Sequence, residues 1–241
     1  MNYTKTKLLS TNNFKTIKGE KLGYITYIMY LSPFTDNSKG INLCPFASEG
    51  CSKACLFNSG FGGMYKTVGD ARRNKTEWYL SNRSEFMATL DAEITKYTKL
   101  NLNKAIPVFR LNGTSDIPFE KIKVRDGKNI FELHPTVQFY DYTKNWKRFD
   151  KELPANYHLT FSRSESNNDM AMSILARGFN VAMVFDKVPA TYAGFPVVIG
   201  DETDLRFLDA KNVIVGLKYK KATGKGADNK IAFSTGFAIT T

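Results

Sequence analysis

The sequence predicts an α/β protein: a single domain spanning residues 1–241, folded as a partial (β/α) barrel with a cysteine loop after its first strand. Three observations predict that class. Short β-like runs recur that are apolar nearly throughout rather than alternating, the pattern of parallel strands covered on both faces. Helical segments fall between several of them. Six runs in succession end in polar, ionisable or hydroxyl residues. In a parallel barrel or open α/β sheet those endings lie on one face, where ligands bind. No internal repeat, low-complexity tract or linker divides the chain.

In chain order, residues 1–22 form an N-terminal extension, and "YITYIMYL" (24–31) is the first strand. The cysteine loop (42–63) follows it, then a helix over "TVGDARRNKTEWYL". A second helix follows "LSNRSEF": Asn82 with Glu85 three residues on resembles a capping box, and Phe86, Leu90, Ile94 and Tyr97 mark one stripe. The next strands are "IPVFRL" (106–111), "VQFY" (137–140) and "HLTF" (158–161). A helix begins near "SNNDM", carries Met172 and Leu175, and stops with Gly178 in the C′ position. Strands "VAMVF" (181–185), "PVVI" (196–199) and "VIVGL" (213–217) close the series. The pair after Val181 is joined too tightly for a full helix, so regularity is expected to fail late in the chain.

Hydrophobic residues make up 42% of the chain and charged ones 24%, as in ordinary globular proteins. No run approaches the roughly 18 apolar residues that cross a bilayer, and the first residues lack the pattern of a signal peptide. A cytoplasmic protein without a membrane partner is expected. The formal net charge is +11, which suits a nucleic-acid or nucleotide partner without identifying one. The basic C-terminal segment, 218–241, holds Lys218, Lys220, Lys221, Lys225 and Lys230 against Asp228. A solvated lysine-rich loop explains it as well as phosphate contact does. The oligomeric state is not legible.

All the cysteines, Cys44, Cys51 and Cys55, fall in "NLCPFASEGCSKACLFNSGFGG", spaced C-x6-C-x3-C. An odd number without an export signal points to metal binding or catalysis rather than disulfides. Thiolates suit zinc, or iron in sulfide clusters. Zinc would need a fourth ligand, for which His134 and His158 are the available histidines, each equally explained as a partly buried, hydrogen-bonded residue. A [4Fe–4S] cluster held by three cysteines would keep one iron open for a small molecule. A third alternative is no metal at all. Gly50 and "SGFGG" would let the loop wrap a cluster, and Phe57, Phe61 and Tyr65 would exclude water from it or stack on bases.

The strand endings supply the other candidates. Asn112, Ser115 and Asp116 end the second strand, with Asp116 offered to a ligand amine or hydroxyl, or to a turn before Pro118. Arg110 would pair with a ligand carboxylate or with Asp141. Asp141, Tyr142 and Lys144 could handle protons or stay solvated. Ser162, Arg163 and Glu165 are suited to a ribose or phosphate, through hydroxyl, planar fork and carboxylate. Asp201, Glu202, Asp204 and Arg206 are expected to include a buried pair. Arg72, Arg73 and Lys75 would balance a cluster's negative charge or form a solvated face.

A three-cysteine loop after the first strand of a (β/α) partial barrel resembles the radical S-adenosylmethionine enzymes. Their usual spacing is C-x3-C-x2-C, and the loop here is wider at both intervals. The resemblance implies a radical-SAM-like barrel whose [4Fe–4S] cluster, on Cys44, Cys51 and Cys55, binds S-adenosylmethionine through its open iron and cleaves it reductively. "NGTSD" (112–116) would meet the methionine amine, and "SRSE" (162–165) the ribose. Over nearly the whole chain the sequence also resembles the gene-product-88 family of phage and plasmid proteins. "CPFASEGCSKAC", "ARRNKT", "FRLNGTSD", "QFYDYTK", "YHLTFSRSE", "FNVAMVF", "GDETDLRF" and "VGLKYK" carry that likeness. It implies a phage or mobile-element origin, hence a host-cell cytoplasm, and brings no activity with it.

The resulting expectation is an iron–sulfur protein, radical-SAM-like, acting on an unknown substrate. The alternatives are a nucleic-acid-binding module whose metal only staples the loop, and a redox protein that does not use S-adenosylmethionine.

Overall fold

The computed structural model describes residues 6–11, 16–55, 65–221 and 230–241. Each apolar run of the sequence forms a strand. They are β2 (Tyr24–Met29), β3 (Ile106–Arg110), β6 (Gln138–Thr143), β7 (Tyr157–Ser162), β8 (Val181–Phe185), β10 (Phe195–Ile199) and β11 (Ile214–Lys218). Five shorter strands accompany them: β1 (Leu9–Ser10), β4 (Lys123–Arg125), β5 (Lys128–Asn129), β9 (Thr191–Tyr192) and β12 (Ala238–Ile239).

Ten strands make one largely parallel sheet in the order β1-β2-β3-β6-β7-β8-β11-β10-β9, with β12 beside β8; β4 and β5 form a separate hairpin. Only the pairs β1–β2 and β9–β10 are antiparallel among those whose register is defined in the large sheet. The protein is therefore a mixed α/β fold. One feature departs from the sequential order of a (β/α) barrel: β11 lies between β8 and β10. Residues 186–194, which join β8 to β10, include β9, which turns back on β10. A parallel crossover needs a dozen or more residues, usually with a helix. The expected loss of regularity after Val181 has this cause.

Chain packing gathers into two compact units. The first comprises Met1–Cys44, Asp70–Asp141 and Glu152–His158. Helices Lys66–Ser81 and Arg83–Leu100 follow the cysteine loop almost without a break. Asn82 caps the second, its side chain accepting from the Glu85 N–H at 3.2 Å. The box is modified: the Asn82 N–H is taken by the Trp78 carbonyl, so Glu85 accepts from the Asn82 side-chain amide instead, at 2.8 Å. Phe86, Leu90 and Ile94 are fully buried, and Tyr97 stacks on Tyr27 with ring centroids 4.4 Å apart. Glu93, on the same helix, accepts from the Leu8 and Leu9 N–H groups at 2.8 and 2.9 Å and pins β1. Beside it, buried Lys75 donates to the Leu8 carbonyl at 3.3 Å; desolvation lowers its pKa from 10.5 to about 8, with Arg72 adding to the effect and Glu93 opposing it.

The second unit comprises Pro45–Gly69, Tyr142–Lys151 and Leu159–Thr241. Its core is built from Phe161, Val181, Met183, Phe185, Ile214 and Val215 on the strands, with Ala171, Ile174 and Leu175 on the helix Asn168–Ala176. That helix ends where the sequence indicates. Gly178 has φ +88° and donates to the Leu175 carbonyl at 2.8 Å, while the Phe179 N–H reaches Ile174 at 3.2 Å. These two bonds define a Schellman cap. No helix among the described residues is long and apolar enough to cross a membrane.

Candidate site at the strand ends and the cysteine segment

In the first unit, the candidates after β3 form a knot around a buried carboxylate. Asp141 is completely buried within β6 and accepts from the Asn112 N–H at 2.8 Å, the Asn112 side-chain amide at 3.3 Å and the Tyr157 hydroxyl at 3.0 Å. The same amide donates to the Ile117 carbonyl at 3.0 Å. The Asn112 carbonyl oxygen accepts from Ser115 Oγ at 2.9 Å and the Ile117 N–H at 2.8 Å. Every polar atom of the Asn112 side chain is thus used to shape the 112–117 turn. A buried carboxylate without such donors would be costly, so the turn and Asp141 specify each other.

This turn also receives the start of the cysteine segment. The Asp116 N–H donates to the Leu43 carbonyl at 2.8 Å, and Cys44 Sγ lies 3.6 Å from the Thr114 carbonyl. The Cys44 N–H is held by Asn42 Oδ1 at 2.8 Å.

In the second unit, Cys51 rides on the short helix Glu49–Lys53, whose N-cap is Ser48. Ser48 Oγ accepts from the Cys51 N–H at 3.2 Å and donates to Glu165 Oε2 at 2.8 Å; the Gly50 N–H donates to Glu165 Oε1 at 2.7 Å. A carboxylate from the end of β7 therefore holds the first turn of the cysteine helix, where unpaired N–H groups favour negative charge. Gly50 is required by packing: a Cβ there would lie 2.5 Å from Thr235 Oγ1, 2.7 Å from Phe237 Cβ and 2.9 Å from Glu165 Oε1.

Ser162, the last residue of β7, and Arg163 just beyond it hold the C-terminal segment over this helix. Arg163 Nη1 donates to the Gly236 and Phe237 carbonyls, the latter at 3.1 Å, and its Nε donates to Asn168 Oδ1 at 3.1 Å. Burial lowers the Arg163 pKa. Ser162 Oγ accepts from Lys144 Nζ at 2.6 Å, and that ammonium sits 5.8 Å from the Phe237 ring centroid.

Cys44, Cys51 and Cys55 are half-buried, and none of the three is in a disulfide. Their chemistry is that of a soft-metal donor set. Among the described residues, however, no three His, Cys, Asp or Glu side chains are gathered so as to hold a metal ion. His134 is engaged elsewhere, its Nε2 2.7 Å from Asp91 Oδ1, with burial lowering its pKa against the opposing pull of that carboxylate. His158 lies half-buried within β7. Of the helix cations, Arg73 pairs with Asp36 and Asp70 at 3.2 and 2.9 Å, Arg72 covers the Tyr30 ring, and Lys75 is buried. Of Asp201, Glu202, Asp204 and Arg206, buried Arg206 pairs outside the set, with Asp209 at 3.2 Å, and Asp201 pairs with Lys220 at 2.7 Å. Tyr65 is exposed. Phe57, Phe61, the "SGFGG" run, Lys225 and Asp228 lie outside the described residues.

A family model described as Gene product 88 matches residues 5–236. The chain belongs to the gene product 88 family. No curated protein and no solved structure matches it. In this gene product 88 protein, sequence reasoning missed Ser48, Tyr157 and the C-terminal segment 230–241 as parts of the site. Ser48 carried a readable signal, a hydroxyl residue just ahead of a short helix. Nothing in the sequence links Glu165 to Gly50, which are 115 positions apart.

Proposed function

We propose that this gene product 88 protein is an iron–sulfur protein whose Cys44, Cys51 and Cys55 hold a [4Fe–4S] cluster at the carboxyl ends of the parallel strands. The observation that carries the proposal is the fastening of the cysteine helix by Glu165, through Ser48 Oγ and the Gly50 N–H at 2.8 and 2.7 Å. A part-buried carboxylate at a strand end, committed to the loop that carries the cysteines, supports a chemical task for that loop. Three thiols within twelve residues, none in a disulfide, supply the donors, and binding would draw them into one ligand set, as metal binding commonly orders its own site.

Further parts of the proposal are a radical-SAM-like partial barrel and S-adenosylmethionine as the ligand of the open iron. Such a cluster, when bound, supplies single electrons to a ligand at that iron. The protein's own part is to seat the cysteine segment, shield it from water under residues 230–241, and offer Ser162 with Lys144 to the ligand. In this reading Asn112 and Ser115 shape the turn of the first unit, which the Asp116 N–H ties to Leu43, and Arg163 and Glu165 hold the cysteine helix and the segment over it in the second.

Anaerobic purification with iron and sulfide quantified per chain is the test. The proposal expects iron and sulfide near four per chain, as a [4Fe–4S] cluster requires, a brown protein, and loss of both on Cys51→Ser. It also expects an EPR spectrum that changes on adding S-adenosylmethionine. One zinc per chain would support the metal-stapled nucleic-acid module instead. A reducible cluster blind to S-adenosylmethionine would support the redox reading.

A further inference from the structure

The first unit carries a second surface, at the amino ends of β2 and β3, remote along those strands from the 112–117 turn. Two segments meet there: 17–22, leading into β2, and 99–106, leading into β3. They are joined by the Ile106 N–H donating to the Gly23 carbonyl at 2.8 Å and by the pairing of Tyr24 with Ile106. Ile17, Leu22, Leu100, Leu102 and Ile106 are 49%, 54%, 55%, 65% and 56% exposed. These are five of the eleven large apolar side chains that stand out among the described residues. The connection is not loose. Buried Asn101 donates to the Tyr27 hydroxyl at 2.9 Å and to the Tyr97 carbonyl at 2.7 Å, so the leucines on either side of it are held outward by a fixed backbone.

The charge around them is mostly positive. Lys18, Lys21, Lys99 and Lys104 are exposed within these segments, against Glu20 alone. Neither segment contains an arginine or an aromatic residue. Protein-binding surfaces are enriched in aromatics and arginine and depleted in lysine. Nucleic-acid surfaces use aromatic or guanidinium planes to stack on bases. Aliphatic side chains rimmed by lysines fit a third partner, an anionic lipid surface, where the leucines enter the interface and the ammonium groups meet the headgroups.

We propose that this face, Ile17–Leu22 with Lys99–Ile106, binds peripherally to membranes rich in anionic lipid. The sequence lacks a spanning run, and a surface-bound mode needs none. The inference is independent of the cysteines.

The test is co-sedimentation of the full chain with vesicles of phosphatidylcholine alone or mixed with phosphatidylserine, at low and high salt. Sedimentation with the mixed vesicles only, weakened by salt, is expected. Lys18→Glu with Lys104→Glu should weaken it by more than tenfold, since each lysine near such a surface contributes roughly a factor of five. Leu102→Ser with Ile106→Ser leaves the charge unchanged and should weaken it on the order of tenfold through lost apolar insertion. All four side chains are exposed, and an unchanged circular dichroism melt would show that the variants fold. Four results would overturn the proposal: no sedimentation, equal sedimentation with neutral vesicles, indifference to the serine pair, or lysine-dependent binding to duplex DNA without vesicle binding. A dimer that buries the patch, detected by light scattering and abolished by the serine pair, would also overturn it.

Discussion

Lys75→Met should stabilise this protein at neutral pH, although it deletes a buried hydrogen bond. Lys75 is 8% exposed and donates to the Leu8 carbonyl at 3.3 Å, a long contact. Desolvation lowers its pKa from 10.5 to about 8, which corresponds to about 3 kcal/mol held against the charged form. Below pH 8 both the folded and unfolded chains carry the proton, so the full penalty falls on the folded state. Between pH 8 and the unfolded value, the unfolded chain binds a proton that the folded one lacks, and stability rises with pH. Above that value the penalty is gone. Methionine keeps the length and apolar stem of the side chain but forfeits a hydrogen bond worth about 1 kcal/mol. The variant should therefore be more stable by about 2 kcal/mol at pH 7. The advantage should shrink as pH rises from 8 to 10 and then reverse. Urea unfolding of both proteins at pH 7, 8.5 and 10 measures this difference, and the comparison cancels other groups that titrate in the same range. A variant destabilised at pH 7, or a difference that does not change with pH, would refute the reasoning. Lys75 would then act mainly as the tie that holds β1.

Other expectations follow from the two anchors. Gly50→Ala places a methyl within 3 Å of Thr235, Phe237 and Glu165, so it should cost about 1–3 kcal/mol as an overpacking change, read by thermal melting, and should speed modification of Cys51 by a thiol reagent. Glu165→Gln keeps the shape of the clamp but has one acceptor oxygen in place of two and no charge, so one of the two accepted hydrogen bonds is lost and the other weakened; Cys51 should react faster while Cys44 does not. Asn112→Ala removes the side-chain amide that donates to Asp141 and the carbonyl oxygen that accepts from Ser115 Oγ and the Ile117 N–H, and should cost about 2–4 kcal/mol, measured by urea unfolding. Gly178→Ala forces a left-handed backbone on a residue with a Cβ and should cost about 1 kcal/mol, with no effect on any thiol.

Most of the long strands were legible as nearly apolar runs ended by polar residues, the pattern that burial on both faces of a parallel sheet demands; β10 has the pattern without the burial, since none of Phe195–Ile199 is buried. Strands β1, β9 and β12 are two residues long, too short to carry a period, and each depends on a partner fixed elsewhere in the chain. One readable signal stood outside the run pattern. Asp126 and Gly127 both have positive φ, 52° and 69°, the type I′ turn that an Asp-Gly pair indicates between hairpin strands. The place of β11 between β8 and β10 was not legible, because strand order depends on the length and path of connections rather than on the composition of the strands. Polar strand ends were legible as a group, but not their partners. Glu165 reads as a ligand contact until Ser48 and Gly50 are found on its two oxygens.

That last point changes what polar strand ends mean in this fold. A carboxylate, a guanidinium and an amide at the ends of parallel strands suit a ligand, but they equally suit a long loop that must be held over those ends without secondary structure of its own. Each unit, taken by itself, uses them in the second way. In the first, the turn built on Asn112 and Asp141 grips Leu43 and Cys44; in the second, Glu165 and Arg163 grip the Cys51 helix and the segment above it. The hydrogen-bonding capacity invested there is spent on fixing where the sulfur lies. Chemistry at this edge is thus expected to depend first on the thiols. Under the iron–sulfur proposal, substituting Cys44, Cys51 or Cys55 should abolish cluster content outright, whereas Glu165→Gln should leave content and shift only its lifetime in air. If Glu165→Gln instead left the cofactor untouched in both respects, the clamp would be no more than a fold contact.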